Sequence, residues 1–204
     1  MKKERETMCS QTFIRTSFVT FSLVSLSFLA ACSTSAPPTP VEPSAAATVT
    51  AATTSTPDWF NMKMTDVRTG QTFTINDFAG KVVLLETMAQ WCPTCESQEN
   101  EVIKLHKLLG NPEDLISVSL DVDLHEDEAS LKEYAATRGY DWYFAVAPLE
   151  VARALGNLYS AQYLNPPVAP MLLIDRNGGV YGLPYGLKSA EALQKTIEPY
   201  LTPQ

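Results

Sequence analysis

The chain has 204 residues, with 15 Lys+Arg against 23 Asp+Glu, a formal charge of −8 at neutral pH. That acidic balance argues against nucleic acid and anionic lipid headgroups as partners. Setting aside a leader and a linker, residues 58–204 remain, enough for one domain with a proper core.

The first elements in chain order concern location. Lys2, Lys3, Arg5 and Arg15 form a basic stretch diluted by Glu4 and Glu6, and the run from Phe18 to Leu29 is apolar and uncharged. That run is too short to span a bilayer comfortably and fits a signal-peptide core. It ends in Leu29-Ala-Ala-Cys32, which resembles the bacterial lipobox. The resemblance implies that residues 1–31 are removed and that Cys32 carries a thioether-linked diacylglycerol. An ordinary secretory signal with a chance cysteine, or a short anchor helix, are the alternatives. Small residues before Cys32 and the polar stretch after it favour the lipoprotein. Acyl chains contribute about 0.8 kcal/mol per buried CH₂, so several on one residue hold a protein at a membrane without a spanning helix.

From Ser33 to Pro57 the sequence is Ser, Thr, Ala, Pro and Val with Glu42 as its charge, a composition with little apolar surface to bury. Residues 32–57 therefore read as a lipidated cysteine followed by a flexible tether. Cys9 falls in the discarded leader. Cys92 and Cys95 are left as a lone pair in a disulfide-permissive compartment, with no second CxxC to complete a four-cysteine zinc site.

In the domain, Phe60 to Thr65 alternates weakly, Thr69-Gly70 turns, and Gln71 to Thr74 returns, which predicts a short hairpin. Asn76 to Gly80 reads as a turn. Lys81 to Ala89 is an apolar run of the kind that forms a buried central strand, and the CxxC follows it directly. From Pro93 onward Val102, Ile103, Leu105, Leu108 and Leu109 recur at helical spacing until Gly110-Asn-Pro112. Leu115 to Leu120 is a second buried strand, and Glu126 to Thr137 an amphipathic helix ended by Arg138-Gly139. A short strand at Tyr143 to Val146 and a helix from Leu149 to Leu158 follow. After Pro166-Pro-Val-Ala-Pro170 come a strand, Met171 to Asp175, a turn at Arg176 to Gly179, a partner strand from Val180, and a helix capped by Ser189. This order predicts an α/β fold, a mixed sheet with helices on both faces.

A CxxC at a strand-to-helix junction has a chemical consequence. Cys92 stands at the helix N-terminus, where unpaired N–H groups and the helix dipole favour a thiolate. Pro93 suits the first helical position, which has no use for a donor. Cys95 lies one turn inside and is expected to be the more buried. The geometry makes Cys92 the attacking thiol and Cys95 the resolving one.

The segment "KVVLLETMAQWCPTC" resembles the active-site strand and helix of the thioredoxin fold. It is similar in particular to the TlpA/ResA group of membrane-tethered thiol-disulfide oxidoreductases, a redoxin-like set. In element order the resemblance covers residues 58–204, with an N-terminal hairpin extension and an inserted helix. Trp91, Cys92 and Cys95 match the motif directly, and Trp91 and Pro93 are carried over as substrate-binding. Pro170, after Ala169 and before "MLLID", falls where the family carries its cis-proline, although Pro166 and Pro167 compete for that role. The resemblance implies that Ala169 and Pro170 dock the partner as an added strand. Glu86, six residues before Cys92, falls where thioredoxins carry a buried acid, which would take or return the Cys95 proton. A glutamate reaching an edge or pairing with a lysine is the alternative. Thr87, Met88 and Gln90 depart from the family pattern and bear on the shape of the partner groove.

Two thiolates can also hold copper(I), but the histidines are His106, at a helical position, and His125, beside an acidic run, and both read as solvated surface. That run lacks the oxygen spacing of a calcium loop and reads as the end of a strand and the start of a helix. A peroxiredoxin needs Thr or Ser three residues before its cysteine, where Ala89 and Cys92 stand. A redox-inert binding module would have lost a cysteine. The expectation is a monomeric, lipid-anchored, extracytoplasmic oxidoreductase without cofactor or bound metal. Its direction is open from the residues, and the resemblance favours a reductant. Partners would be proteins with disulfides or thiols, apocytochrome c among them, and a membrane electron donor of the thiol-disulfide type. Ser33 in place of aspartate leans toward an outer membrane where two membranes exist.

Overall fold

The computed structural model describes residues 56–111 and 113–202. The leader 1–31, Cys9, Cys32, the tether as far as Ser55 and the helix stop expected at Pro112 lie outside the described residues.

Val82–Met88 forms β3, and all seven of its residues are buried. Apolar side chains on both faces suit a strand with neighbours above and below. Leu115–Asp121 forms β4 beside it, Tyr143–Val146 β5, Met171–Ile174 β6 and Val180–Gly182 β7. The strand order is β5-β4-β3-β6-β7. The first three are parallel, β6 runs antiparallel to β3, and β7 antiparallel to β6. Met64–Thr65 and Thr72–Phe73, β1 and β2, make a separate two-stranded hairpin.

The helices are α1, Pro93–Leu108; α2, Glu128–Arg138; α3, Leu149–Leu158; and α4, Ala190–Leu201. Their starts are chemically marked. Asp127 accepts the Ser130 N–H at 2.8 Å to begin α2, and Ser189 accepts the Ala192 N–H at 3.3 Å to begin α4. One face of the sheet packs Leu84 and Met88 against Val102 and Leu105 of α1, Leu131 and Tyr134 of α2 and Leu193 of α4. The opposite face packs Val83, Leu85 and Val118 against Trp59, Phe73, Phe78 and Leu155. Helices cover both faces, as the element order predicts. Among the described residues no helix is long and apolar enough to cross a membrane.

The acidic run resolves as expected: Asp121 ends β4 and Asp127 caps α2. Helix α2 starts two residues later than the periodicity suggests, because Asp127 takes the cap and leaves Glu126 outside. The Pro-rich stretch carries structure that its composition hides, short 3₁₀ turns at Ala161–Leu164 and Pro166–Val168.

Candidate active site

Cys92 ends the loop from β3 and is the N-cap of α1, with Pro93 at the first helical position. The Cys95 N–H donates to Cys92 Sγ at 3.1 Å, so the sulfur occupies the place of a capping oxygen. A sulfur there is favoured as the anion, because it answers an unpaired donor at the positive end of the helix. Cys92 and Cys95 are bonded as a disulfide, with Cα atoms 5.3 Å apart, a span that needs no backbone movement. The expected difference in burial is not present, since both cysteines are about equally buried, at 1% exposure. The cap geometry, not solvent access, distinguishes the two. Trp91 and Pro93 stand exposed on either side of Cys92, and the Trp91 indole N–H donates to Asp123 Oδ2 at 2.6 Å.

The loop opposite departs from expectation. No cis peptide bond occurs among the described residues, so the Ala169–Pro170 bond is trans. Proline steers the residue before it toward extended backbone, yet the chain turns here through a left-handed Ala169, φ 46°. Ala169 and Pro170 are both buried, and their polar groups are taken. The Ala169 N–H donates to the Pro166 carbonyl at 2.8 Å, its carbonyl accepts from Lys188, and the Pro170 carbonyl accepts the Thr87 N–H at 3.3 Å. A free strand edge for a partner is therefore absent at Ala169 in this state. The same Pro166 carbonyl oxygen lies 3.5 Å from Cys95 Sγ.

Beneath α1 the apolar layer contains a polar cluster. Glu86 is buried at 4% exposure on the sheet face of Leu84 and Met88. Its register partner Ser119 donates to Glu86 Oε1, and the Trp142 indole N–H donates to Ser119 Oγ at 2.9 Å. Tryptophan has only a donor to offer, so the serine must turn its proton toward the carboxyl. Burial pushes the Glu86 carboxyl up to about 7, against the opposing pull of Ser119 and of the Lys188 charge.

Glu99, four residues after Cys95 on α1, is a second buried acid. Burial and then the charge of Glu86 push it up to about 9. The Tyr134 hydroxyl donates to its Oε2, while its Oε1 has no partner. Tyr140, whose buried hydroxyl is also unpartnered, stands beside it. Lys188 completes the cluster, and burial lowers its ammonium to about 8.

Gln90, one of the departures from the family pattern, fastens the active-site loop to α2. Its N–H donates to Glu126 Oε2 at 2.8 Å, and its side-chain amide donates to Asp121 and to Ser130, each at 3.1 Å. Asp121 is pushed up to about 7, chiefly by burial. His106 is not the solvated residue that its helical position suggested. It faces the sheet, with Nε2 2.8 Å from Ser117 Oγ and its ring edge-on to Trp142, and burial holds it below the usual histidine range. His125 is exposed beside Asp123. Among the described residues no three His, Cys, Asp or Glu side chains gather as a metal site.

Of the residues missed from sequence, Glu99 had a signal. Cys95, Gln98, Glu99, Val102 and Leu105 follow one helical stripe, so a charge on that stripe is placed against the core. Asp121 had one too, through the alternation of Ser117, Ser119 and Asp121 along a buried strand. Lys188 had none, because its position is set by loops that meet only in the folded chain.

The sheet order and the CxxC at the head of α1 define a thioredoxin-fold protein. Residues 48–192 match the Redoxin family, and the chain belongs to that family. Similar solved structures include a thiol:disulfide interchange protein of Chlorobium tepidum TLS, 20% identical, covering 69% of this chain and 93% of its own, with a TM-score of 0.56. A SCO1/SenC family lipoprotein of Bacillus anthracis str. Ames is 21% identical over 69% and 93% of the two chains, at 0.55. The thioredoxin domain of a Bacteroides vulgatus thiol-disulfide oxidoreductase is 16% identical over 69% and 93%, at 0.53. No curated protein matches the chain in sequence.

Proposed function

We propose that the protein is a thiol-disulfide oxidoreductase acting as a disulfide reductant outside the cytoplasm, tethered through lipid on Cys32. The observation that carries the oxidoreductase part of this reading is the sulfur cap. Cys92 Sγ accepts the Cys95 N–H at the head of α1, with its bonding partner one turn inside. The reduced Cys92 thiolate attacks a substrate disulfide, forming a mixed disulfide and releasing one substrate thiolate. Cys95 gives its proton to Glu86 and attacks Cys92 Sγ. The second substrate sulfur leaves, and Cys92–Cys95 is oxidised. The Glu86 carboxyl, held near 7, can accept and return that proton at neutral pH.

The similarity to a thiol:disulfide interchange protein and to a thiol-disulfide oxidoreductase supports the chemistry. The resemblance to the TlpA/ResA group supports the direction, apocytochrome c thiols as a substrate and a membrane donor that re-reduces the pair. The leader and lipobox support the location.

The full chain is tested in dithiothreitol-driven reduction of insulin disulfides. Cys92→Ser abolishes the activity, while Cys95→Ser accumulates mixed disulfides visible on a non-reducing gel. Full activity in Cys92→Ser would contradict the mechanism.

A further inference from the structure

Lys188 lies between β7 and α4, beside the Ser189 cap, yet it is only 9% exposed. An ammonium taken from water needs a partner for each of its three donors. Nζ donates to the carbonyl oxygens of Ala169 at 2.7 Å, Pro184 at 3.1 Å and Gly186 at 2.5 Å. One side chain pairs both of its backbone groups. The Lys188 N–H donates to Gln98 Oε1 at 2.9 Å, and Gln98 Nε2 donates back to the Lys188 carbonyl at 3.0 Å. Gln98 is fully buried on α1, three residues after Cys95.

These contacts converge on Ala169. Its left-handed backbone, φ 46°, is unfavourable for a residue with a Cβ, so something must hold it. The holders are Pro166, whose carbonyl also lies against Cys95 Sγ, and Lys188. The Lys188 charge also favours the carboxylate of Glu86.

We propose that Lys188 is a positioning residue of the exchange reaction: its ammonium fixes the Ala169 loop against Cys95, and its charge draws Glu86 toward the carboxylate that receives the Cys95 proton. This rests on the oxidoreductase reading above. In the resolving step the Cys95 S–H bond breaks and its proton passes to Glu86. The sulfur electron pair forms the bond to Cys92 Sγ, and the substrate sulfur leaves as a thiolate. Lys188 exchanges nothing, and its charge lowers the pH at which the carboxylate is present, against the upward push of burial.

The groups around Glu86 come from several elements. Glu99 faces it from α1, backed by Tyr134 and Arg138 of α2 and by Tyr140. Strand β4 brings Ser119 and, two residues on, Asp121, while Met171 of β6 and Leu193 of α4 are apolar. Lys188 is the cation whose charge acts on Glu86 from the loop side.

The test uses the full reduced chain and oxidised glutathione, following attack by Cys92 and release of glutathione by Cys95 as separate steps across pH. In the unaltered protein the resolving step rises with a midpoint near 7. In Lys188→Met that midpoint moves up by about one pH unit, the smaller end of what a neighbouring opposite charge does to a carboxyl. Lys188→Arg keeps the original midpoint, and the attack step is unchanged in both variants. A Lys188→Met midpoint equal to that of the unaltered protein overturns the assignment, as does an equal displacement in Arg and Met. Should Lys188→Met lose its folded circular dichroism, the unaltered ¹⁵N-labelled chain decides. A slowly exchanging Lys188 ammonium resonance supports the proposal, and a freely exchanging one overturns it. An unaltered chain that fails to react with oxidised glutathione contradicts the oxidoreductase reading itself, whereas normal reaction with unaffected variants removes only Lys188.

Discussion

Glu99 shows what a single buried carboxyl does to this fold. It sits on the core-facing stripe of α1 with one oxygen on Tyr134 and the other unpartnered, an arrangement suited to a neutral acid. Its proton is held more tightly in the folded chain, near 9, than at the ordinary value of 4.5. The folded state therefore binds more protons than the unfolded one between those values, and the Glu99 contribution to stability falls as pH rises through that window. In urea unfolding, Glu99→Gln is expected to lose less stability than the unaltered chain between about pH 5 and about pH 9. Parallel pH profiles for the two proteins would contradict a neutral Glu99. Glu86 and Glu99 act on one another, so the difference between the two profiles reports the titration of Glu99 together with the response of Glu86 to its loss. At this scale the sequence placed Cys92, Cys95 and Glu86 because their spacing from the strand-to-helix junction is local. Lys188 and the trans Ala169 turn depend on loops that are distant in sequence, and no local pattern encodes them.

Among the elements, β3 separates two tasks by alternation. Leu84, Glu86 and Met88 face the side of α1, the helix that carries the cysteines, while Val83 and Leu85 face the hairpin side and α3. A cavity on the second face should cost stability without touching the chemistry. Leu85→Ala, at a fully buried site, is expected to lower the unfolding free energy by about 2–5 kcal/mol and to leave the potential of the cysteine pair unchanged. A shifted potential in a folded Leu85→Ala protein would show that the faces are not independent. Most elements were legible because their signals are periodic. The bounds of β5 and α3 match those read from apolar spacing, and Arg138-Gly139 ends α2 through a left-handed Gly139, φ 71°. The 3₁₀ turns before Pro170 were not legible, since a single short turn holds too few residues to show a period.

In the whole molecule, a five-stranded sheet carries the disulfide at the head of one helix, with two acids and a lysine buried behind it. In the proposed mechanism Glu86 receives the Cys95 proton, and the sulfur cap lowers the cost of a thiolate at Cys92. The pair has an exposed Trp91 and Pro93 at its rim. A thiolate stabilised too strongly would make the reduced form too stable to give electrons away, as in strong oxidants. Here one N–H caps the sulfur, and the Lys188 ammonium is directed at the carbonyl oxygens of Ala169, Pro184 and Gly186. The direct measurement is the potential of Cys92–Cys95 in the purified chain, equilibrated against glutathione and followed by alkylation of free thiols. The reductant account predicts about −270 mV or lower, whereas a value near about −120 mV would contradict it and assign the couple to thiol oxidation.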